Sequence, residues 1–353
     1  MKPLKYSLLT MAWLTMAWSP YHAKVTKTKT FSRTYNRAAI ELLMVENQLG
    51  NVTVETHTLP EVKVEVEMRA TKRDEQAALR VLEQMSIEET LSDKLLTLIT
   101  DIGGQLNNQP GESIAINYRI WLPANLPVDI TNSLGKLEVG DLTADDVRLS
   151  IDHGSFTLGK LTGQNLVLEA SYVNGGKIGQ IAHGSLELNY CQHMNIAQLG
   201  QVTLQLESSP MTIEKAQEIL LDHEYQNVTI NQIHILRGDL SFGRLMVGSL
   251  TGELELTGNH GLQVEVKEVA ATAKAIDLDL DYTPCTLVFS NQARGQLEAT
   301  TQGGAFSWKG DQLVMKQIGT EGMQKMYSGT LGGGGPLTVV LETTQGSLSL
   351  QTK

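Results

Sequence analysis

Apolar and polar residues alternate along most of this chain in short runs. "LEV" at 137, "VRLSI" at 147, "FTL" at 156, "LVLEA" at 166, "LELNY" at 186 and "VTLQL" at 202 each carry the two-residue period of a β-strand. Gly, Asn, Asp and Ser fill the intervals, where the backbone must bend or take positive φ. The runs recur about every ten residues, and a unit of roughly twenty residues overlies them. Its landmark is a leucine that begins a polar corner: Leu149, Leu168, Leu188, Leu204 and Leu220. "ITNSLGKLEVGDLTA" (130–144) and "IDHGSFTLGKLTG" (151–163) show the repeat most plainly. Each has Gly, a short alternating run, Gly-x-Leu and a Thr-containing turn.

Strands this short bury no face alone. Stacked in parallel, coil on coil, they gain hydrogen-bonded neighbours above and below and share a filling of Leu, Ile and Val. The pattern predicts an all-β fold, a parallel β-helix (β-solenoid). Ten or so coils at about 4.8 Å each make a rod of roughly 50 Å. The alternative is a β-sandwich, with "VNGG" (173–176) as a hairpin turn. The landmark recurs in one chain direction, which favours parallel stacking.

The N-terminal third reads differently. "LLMVENQLGNVTVET" (42–56) and "EVKVEVEMRA" (61–70) are alternating strands, and "TKRDEQAALRVLEQM" (71–85) reads as a helix. Thr71 and Asp74 form a capping-box pattern, and Leu79, Leu82 and Met85 share a face. "IEETLSDKLLTLIT" and "SIAINYRIWLP" follow as further strands. A short helix-containing cap over the open end of the solenoid is expected, because unpaired strand edges invite aggregation. One segment carries conflicting signals. "SSPMTIEKAQEILLDHE" (208–224) has a helix start, but the coil register places strands at 211–214 and 219–222, and the register is preferred.

The chain has 353 residues, 41% of them hydrophobic, and a net charge of −11. That charge argues against nucleic acid and against docking on anionic lipid. At the start, Lys2 and Lys5 precede the apolar stretch Leu8–Trp18, too short for a membrane span of about twenty residues. Residues 1–23 therefore read as a secretory signal peptide, ending at Ala23 or alternatively at Ala17. Residues 24–129 hold the N-terminal strands, helix and first coils, and 130–353 the solenoid. The mature chain is expected to be exported, periplasmic or extracellular, with no transmembrane span. Cys191 and Cys285 are compatible with a disulfide or with two buried thiols.

"MVENQLGNVTVET", "VKVEVEMRATKRDEQAALRVLEQMSIE" and "INYRIWLPANLPVDITNSLGKLEVGDL" resemble successive blocks of the putative adhesin family of bacterial exported proteins. These are adhesin-like β-helical domains of unknown function. "YSGTLGGGGPLTVVLETTQGSLSL" (327–350) resembles that family's terminal coil. The resemblance implies a right-handed β-helix in an extracytoplasmic location. It supplies no catalytic residues.

Candidate chemistry is sparse. His153 and His183 each begin a "HGS" thirty residues apart, which the coil register places at opposite corners rather than on one metal. His193, His223 and His234 read as solvated corner residues. "LGGGGPL" (331–337) lacks the Asp of a calcium roll and the Lys-Ser/Thr of a phosphate loop, and reads as a turn. Asp145 and Asp146 are adjacent. Asp277, Asp279 and Asp281 share one face of a strand whose Ile276, Leu278 and Leu280 point inward. Phe306 and Trp308 are the best surface aromatics in a chain only 5% aromatic. No catalytic, cofactor-binding or metal residues are assigned, and no cofactor is expected. The leading reading is a non-enzymatic, adhesin-like binding or envelope-structural protein whose partner is a protein or glycan. A polysaccharide-acting β-helix enzyme and a periplasmic partner of a membrane signalling protein are the alternatives.

Overall fold

The computed structural model describes residues 24–104 and 108–353; the signal peptide expected at 1–23 lies outside them. The described chain is nearly all β, 75% strand with one α-helix. Its middle is built of parallel ladders. Val128 pairs with Val147, which pairs with Leu166; Ile178 pairs with Ile196, which pairs with Ile213. The chain thus returns beside itself every 17–20 residues. Alternation decides what faces inward: Leu149, Leu168, Leu186, Leu204 and Leu221 are buried in one continuous core. Each fully buried aliphatic side chain contributes about 1.5–3 kcal/mol.

The conflicting segment follows the register. Met211–Val269 is strand, with Met194 paired to Met211 and Val202 to Ile219. Two landmarks were misplaced, however. The leucine paired with Leu204 on either side is Leu186 or Leu221, whereas Leu188 pairs with Leu206 and Leu220 is exposed. In a two-residue period, one position of slip turns a side chain from core to water. "VNGG" is not a hairpin: Asn165–Asn189 runs through it as one parallel strand. Coils approach closely where glycines sit. A Cβ on Gly238 would stand 1.9 Å from the Leu221 carbonyl oxygen one coil away.

The sheet is mixed, not parallel throughout, and the two ends share one design. Strands Leu42–Asn47 and Val52–His57 are wedged between Leu95–Ile102 with Ser113–Pro123 and Val128–Asn132 with Gly135–Val139. Antiparallel strands then close the end: Met85–Ser92 on Leu95–Ile102, and Glu61–Lys72 on Ser113–Pro123, with Val25–Asn36 outermost. At the other end Leu337–Thr344 and Ser347–Thr352 are wedged between Ala275–Asp281 with Pro284–Phe289 and Gly295–Gln302 with Ala305–Lys309. The hairpin of Leu313–Glu321 and Gln324–Leu331 lies antiparallel on Gly295–Gln302. The chain's last strands therefore form an inserted coil, not the terminal one expected. Antiparallel closure satisfies edges that a parallel stack leaves open.

The helix spans Glu75–Glu83, shorter than expected, and Asp74 is its N-cap, accepting from the Ala77 amide at 2.7 Å. Thr71 belongs to the preceding strand, where its hydroxyl meets that of Thr26. The helix buries Ala78 and Leu82, a one-turn pair, and leaves Leu79 exposed; Met85 is buried from the next strand. It links Glu61–Lys72 to Met85–Ser92 and so crosses the end of the core. Three polar side chains inside that end bond to one another, although Asn132 Nδ2 is left without a partner among the described residues. Asn47 Nδ2 donates to the Ile116 carbonyl (3.1 Å) and to Asn132 Oδ1 (3.0 Å), and the Thr100 hydroxyl donates to Asn47 Oδ1 (3.0 Å).

Candidate functional site

One corner of the stack repeats a backbone conformation that most residues avoid. His153, Tyr172, Tyr190, Ser208, Tyr225, Phe242, His260 and Tyr282 all have φ between 47° and 58°. This left-handed region costs a residue with a Cβ about 1–2 kcal/mol, so Gly, Asn and Asp are its usual occupants. Seven of these eight carry a ring and Ser208 does not; Gln345 (φ 57°), which follows the Asp281 partner Thr344 on the coil next to Tyr282, takes the same conformation without one. The ladder registers show that these are equivalent positions: Asp152 pairs with Ser171, Asn189 with Glu207 and Glu207 with Glu224, one residue before the corner in each coil.

Parallel coils repeat about every 4.8 Å, so flat side chains at equivalent positions meet face to face. Ring centroids lie 5.0 Å apart for His153 and Tyr172, and 5.3 Å for Tyr172 and Tyr190. They lie 4.6 Å apart for Tyr225 and Phe242, and 5.8 Å for Phe242 and His260. Stacking of this kind contributes about 0.5–1.5 kcal/mol per pair, comparable with the backbone strain it accompanies. The ring edges face solvent; Tyr172 is 54% exposed and Tyr225 60%. Two stacks result, one ending at Tyr190 and the other at Tyr225, with Ser208 between them. The Tyr190 hydroxyl donates to the Glu207 carboxylate, which holds its pKa above the usual tyrosine value.

A cavity of about 270 Å³ adjoins this break, lined by Glu187, Asn189, Gln205, Glu207, Asp222 and Glu224. These residues precede the corner on successive coils, and none is basic. A larger cleft, about 720 Å³, lies elsewhere, among Thr53, Glu55, Glu65, Glu67, Asn117 and Arg119 near the N-terminal closure. There Arg119 donates to Glu55 at 2.8 and 3.1 Å, and Trp121 Nε1 donates at 3.0 Å. The Arg119 hydrogen bond, foremost, lowers the Glu55 pKa.

The residues singled out in the sequence do not converge. Asp277, Asp279 and Asp281 point outward from Ala275–Asp281, paired with Glu255 and Val340, Thr257 and Glu342, and Thr344. No Lys or Arg stands among those partners. Asp146 accepts from Asn165 Nδ2 at 2.9 Å, and Asp145 is exposed beside it. His153 heads the aromatic corner, whereas His183 pairs with Gln201 on another part of the coil. Among the described residues no three His, Cys, Asp or Glu are grouped to hold a metal ion. His193 is exposed and contacts Asn174 Oδ1 at 2.9 Å; His234 is half-buried and contacts the Thr251 hydroxyl at 3.2 Å. His223 departs from expectation, being 1% exposed inside the core. Its neighbours in sequence alternate correctly, and its own position falls on the inward phase.

Phe306 and Trp308 do meet, 5.4 Å apart, and Tyr327 joins them at 4.7 Å from Phe306. "LGGGGPL" is a turn, with Gly332, Gly333 and Gly334 all at positive φ before the inserted strands. Cys191 and Cys285 are both buried free thiols. Among the described residues no helix is long and apolar enough to cross a membrane. The aromatic corner was missed because aromatics are few, yet its signal is present. A ring follows Asp, Ser, Asn or Glu at "DHG", "SYV", "NYC", "EYQ", "SFG", "NHG" and "DYT", at intervals of 17–22 residues or twice that.

No protein-family model matches the sequence, and no curated protein does. Solved structures similar to the chain include a putative cell adhesion protein from Clostridium sporogenes, at 11% identity over 93% of this chain and 100% of that one, with a TM-score of 0.25. A putative adhesin from Bacteroides fragilis is 12% identical over 91% and 97%, with a TM-score of 0.31. One from Parabacteroides distasonis is 12% identical over 92% and 97%, with a TM-score of 0.32.

Proposed function

We propose that this chain is a right-handed parallel β-solenoid, exported to the cell envelope, that works as a non-enzymatic, adhesin-like binding module. In this reading residues 24–129 supply the closed N-terminal end and first coils, and 130–353 the body. The basic-then-apolar start before residue 24 carries the export reading.

The observation that carries the binding reading is the aromatic corner. Gly or Asn would satisfy a left-handed corner with less strain, yet the chain places solvent-facing rings there coil after coil. Exposed aromatics in a row are surface suited to recognition. A polysaccharide-acting enzyme would require a carboxylate pair, or a carboxylate beside a base, facing a groove. The Asp277–Asp279–Asp281 row has no basic ladder partner.

The test is a glycan array probed with the full chain and with Tyr172→Ala and Tyr225→Ala variants. Binding to defined glycans, weakened in either variant and without release of shortened products, supports the reading. Product release favours the enzyme. Binding that ignores both substitutions removes the corner as the recognition surface.

A further inference from the structure

We infer that the break in the aromatic corner at Ser208 is a binding slot for one positively charged sugar ring, an amino-sugar unit of a polysaccharide. This rests on the binding-module reading and names its ligand class. Tyr190 and Tyr225 stand one coil to either side of Ser208, as Asn189–Glu207–Glu224 pairing in the preceding position requires. Their rings are therefore separated by two coil spacings, about 9.6 Å. Each has one face covered, Tyr190 by Tyr172 and Tyr225 by Phe242. The two remaining faces look toward each other across a rung with no ring.

Ser208 shares the corner conformation, at φ 47°, so its Cβ leaves the backbone in the same direction as those of the tyrosines. Its hydroxymethyl group is the floor of the slot. A flat group in van der Waals contact with both walls needs only about 7 Å between them, twice the 3.5 Å contact distance. A puckered, saturated six-membered ring is thicker and presents C–H groups on both faces, which suits the wider gap and the negative faces of the walls.

Charge selects among sugars. The cavity beside the slot carries four carboxylates, Glu187, Glu207, Asp222 and Glu224, with Asn189 and Gln205, and no cation among its lining residues. Carboxylates and side-chain amides accept from hydroxyl and ammonium donors. An ammonium on the sugar meets both this acidic wall and the electron-rich rings. Glu207, already bonded to the Tyr190 hydroxyl, orients one wall.

The experiment measures binding of a glucosamine hexamer with its amines protonated, alongside cellohexaose and hexa-arginine, by saturation-transfer NMR on the full chain. The wild type binds the glucosamine hexamer, and cellohexaose binds about tenfold more weakly. Tyr225→Ala weakens binding about tenfold. Ser208→Tyr, which fills the missing rung, abolishes it while leaving the circular dichroism and melting temperature at or above those of the wild type. The inference is overturned if Ser208→Tyr binds as the wild type does, if cellohexaose binds equally, or if hexa-arginine binds and the glucosamine hexamer does not. Binding of other glycans on the array, with none of the glucosamine hexamer, sinks this inference and leaves the binding-module reading standing.

Discussion

Leu206 and His223 are partners in the parallel ladder, so an imidazole occupies the core column of a leucine. His223 is 1% exposed, and neither ring nitrogen has a hydrogen-bond partner among the described residues. Desolvation lowers its pKa from the usual 6.5, with Asp222 opposing more weakly. Above pH 6.5 both folded and unfolded states hold the ring neutral, and it adds no pH dependence. Below 6.5 the unfolded chain binds a proton that the folded chain refuses. Stability therefore falls as pH drops, by about 1.4 kcal/mol per pH unit until the folded pKa is reached. His223→Leu removes this term. Urea unfolding of both proteins from neutral to mildly acid pH should show the gap between them widening below 6.5; parallel profiles would contradict the assignment.

Gly238→Ala is expected to be costly, for a reason unrelated to backbone angle. The added methyl would meet the Leu221 carbonyl oxygen at 1.9 Å, and backbone of an adjacent coil cannot swing aside as a side chain can. Separating two coils disturbs their ladder as well as their packing, so the loss should reach about 3 kcal/mol. Gly261→Ala is the control. Nothing lies within 4 Å of its Cβ, and only its φ of +83° is unfavourable, about 1 kcal/mol. Denaturant midpoints should therefore rank Gly238→Ala below Gly261→Ala.

How far the chain could be read from its letters follows from what alternation encodes. A two-residue period marks which side chains face inward, so the strands around Leu149, Leu168 and Leu204, and those of the conflicting 211–222 segment, were legible. It does not fix phase inside a leucine doublet, which is why Leu220 was taken for Leu221. Nor does it encode which coil lies next to which. The wedging of 42–57 and of 337–352 between coils that precede or follow in sequence is a tertiary choice with no local mark. The aromatic corner escaped because its repeat drifts from 17 to 22 residues and includes His and Ser among the Tyr and Phe. An overall aromatic share of 5% hides five Tyr and Phe and two His that recur at one corner of successive coils. The site was written in the sequence, but only legible once the coil register was known.

Both thiols should be silent in the native chain. Cys285 is 3% exposed and burial pushes its pKa up to about 12; burial raises Cys191 as well, and its thiol donates to the Ala170 carbonyl at 3.3 Å. The reactive species is the thiolate, so neutral pH and low access act together. A chromogenic disulfide reagent should titrate no thiol in the folded protein and 2 per chain in denaturant. A disulfide between them would give none in either state.

Ser208→Tyr should also raise stability, independently of any ligand. The wild-type backbone at Ser208 already has φ 47°, close to the 57° of Tyr190 and the 58° of Tyr225, so no new strain is introduced. A tyrosine there would join the two stacks into one, adding two ring contacts at the spacing of 4.6–5.3 Å found on either side. At about 0.5–1.5 kcal/mol per pair, the gain is about 1–3 kcal/mol, less the side-chain entropy lost on ordering the ring. A chain that melts higher and binds less would show that the gap is kept at the expense of stability, as expected of a surface that serves recognition. A chain that melts lower would mean the two walls are not aligned across Ser208, and would remove the geometric basis of the slot.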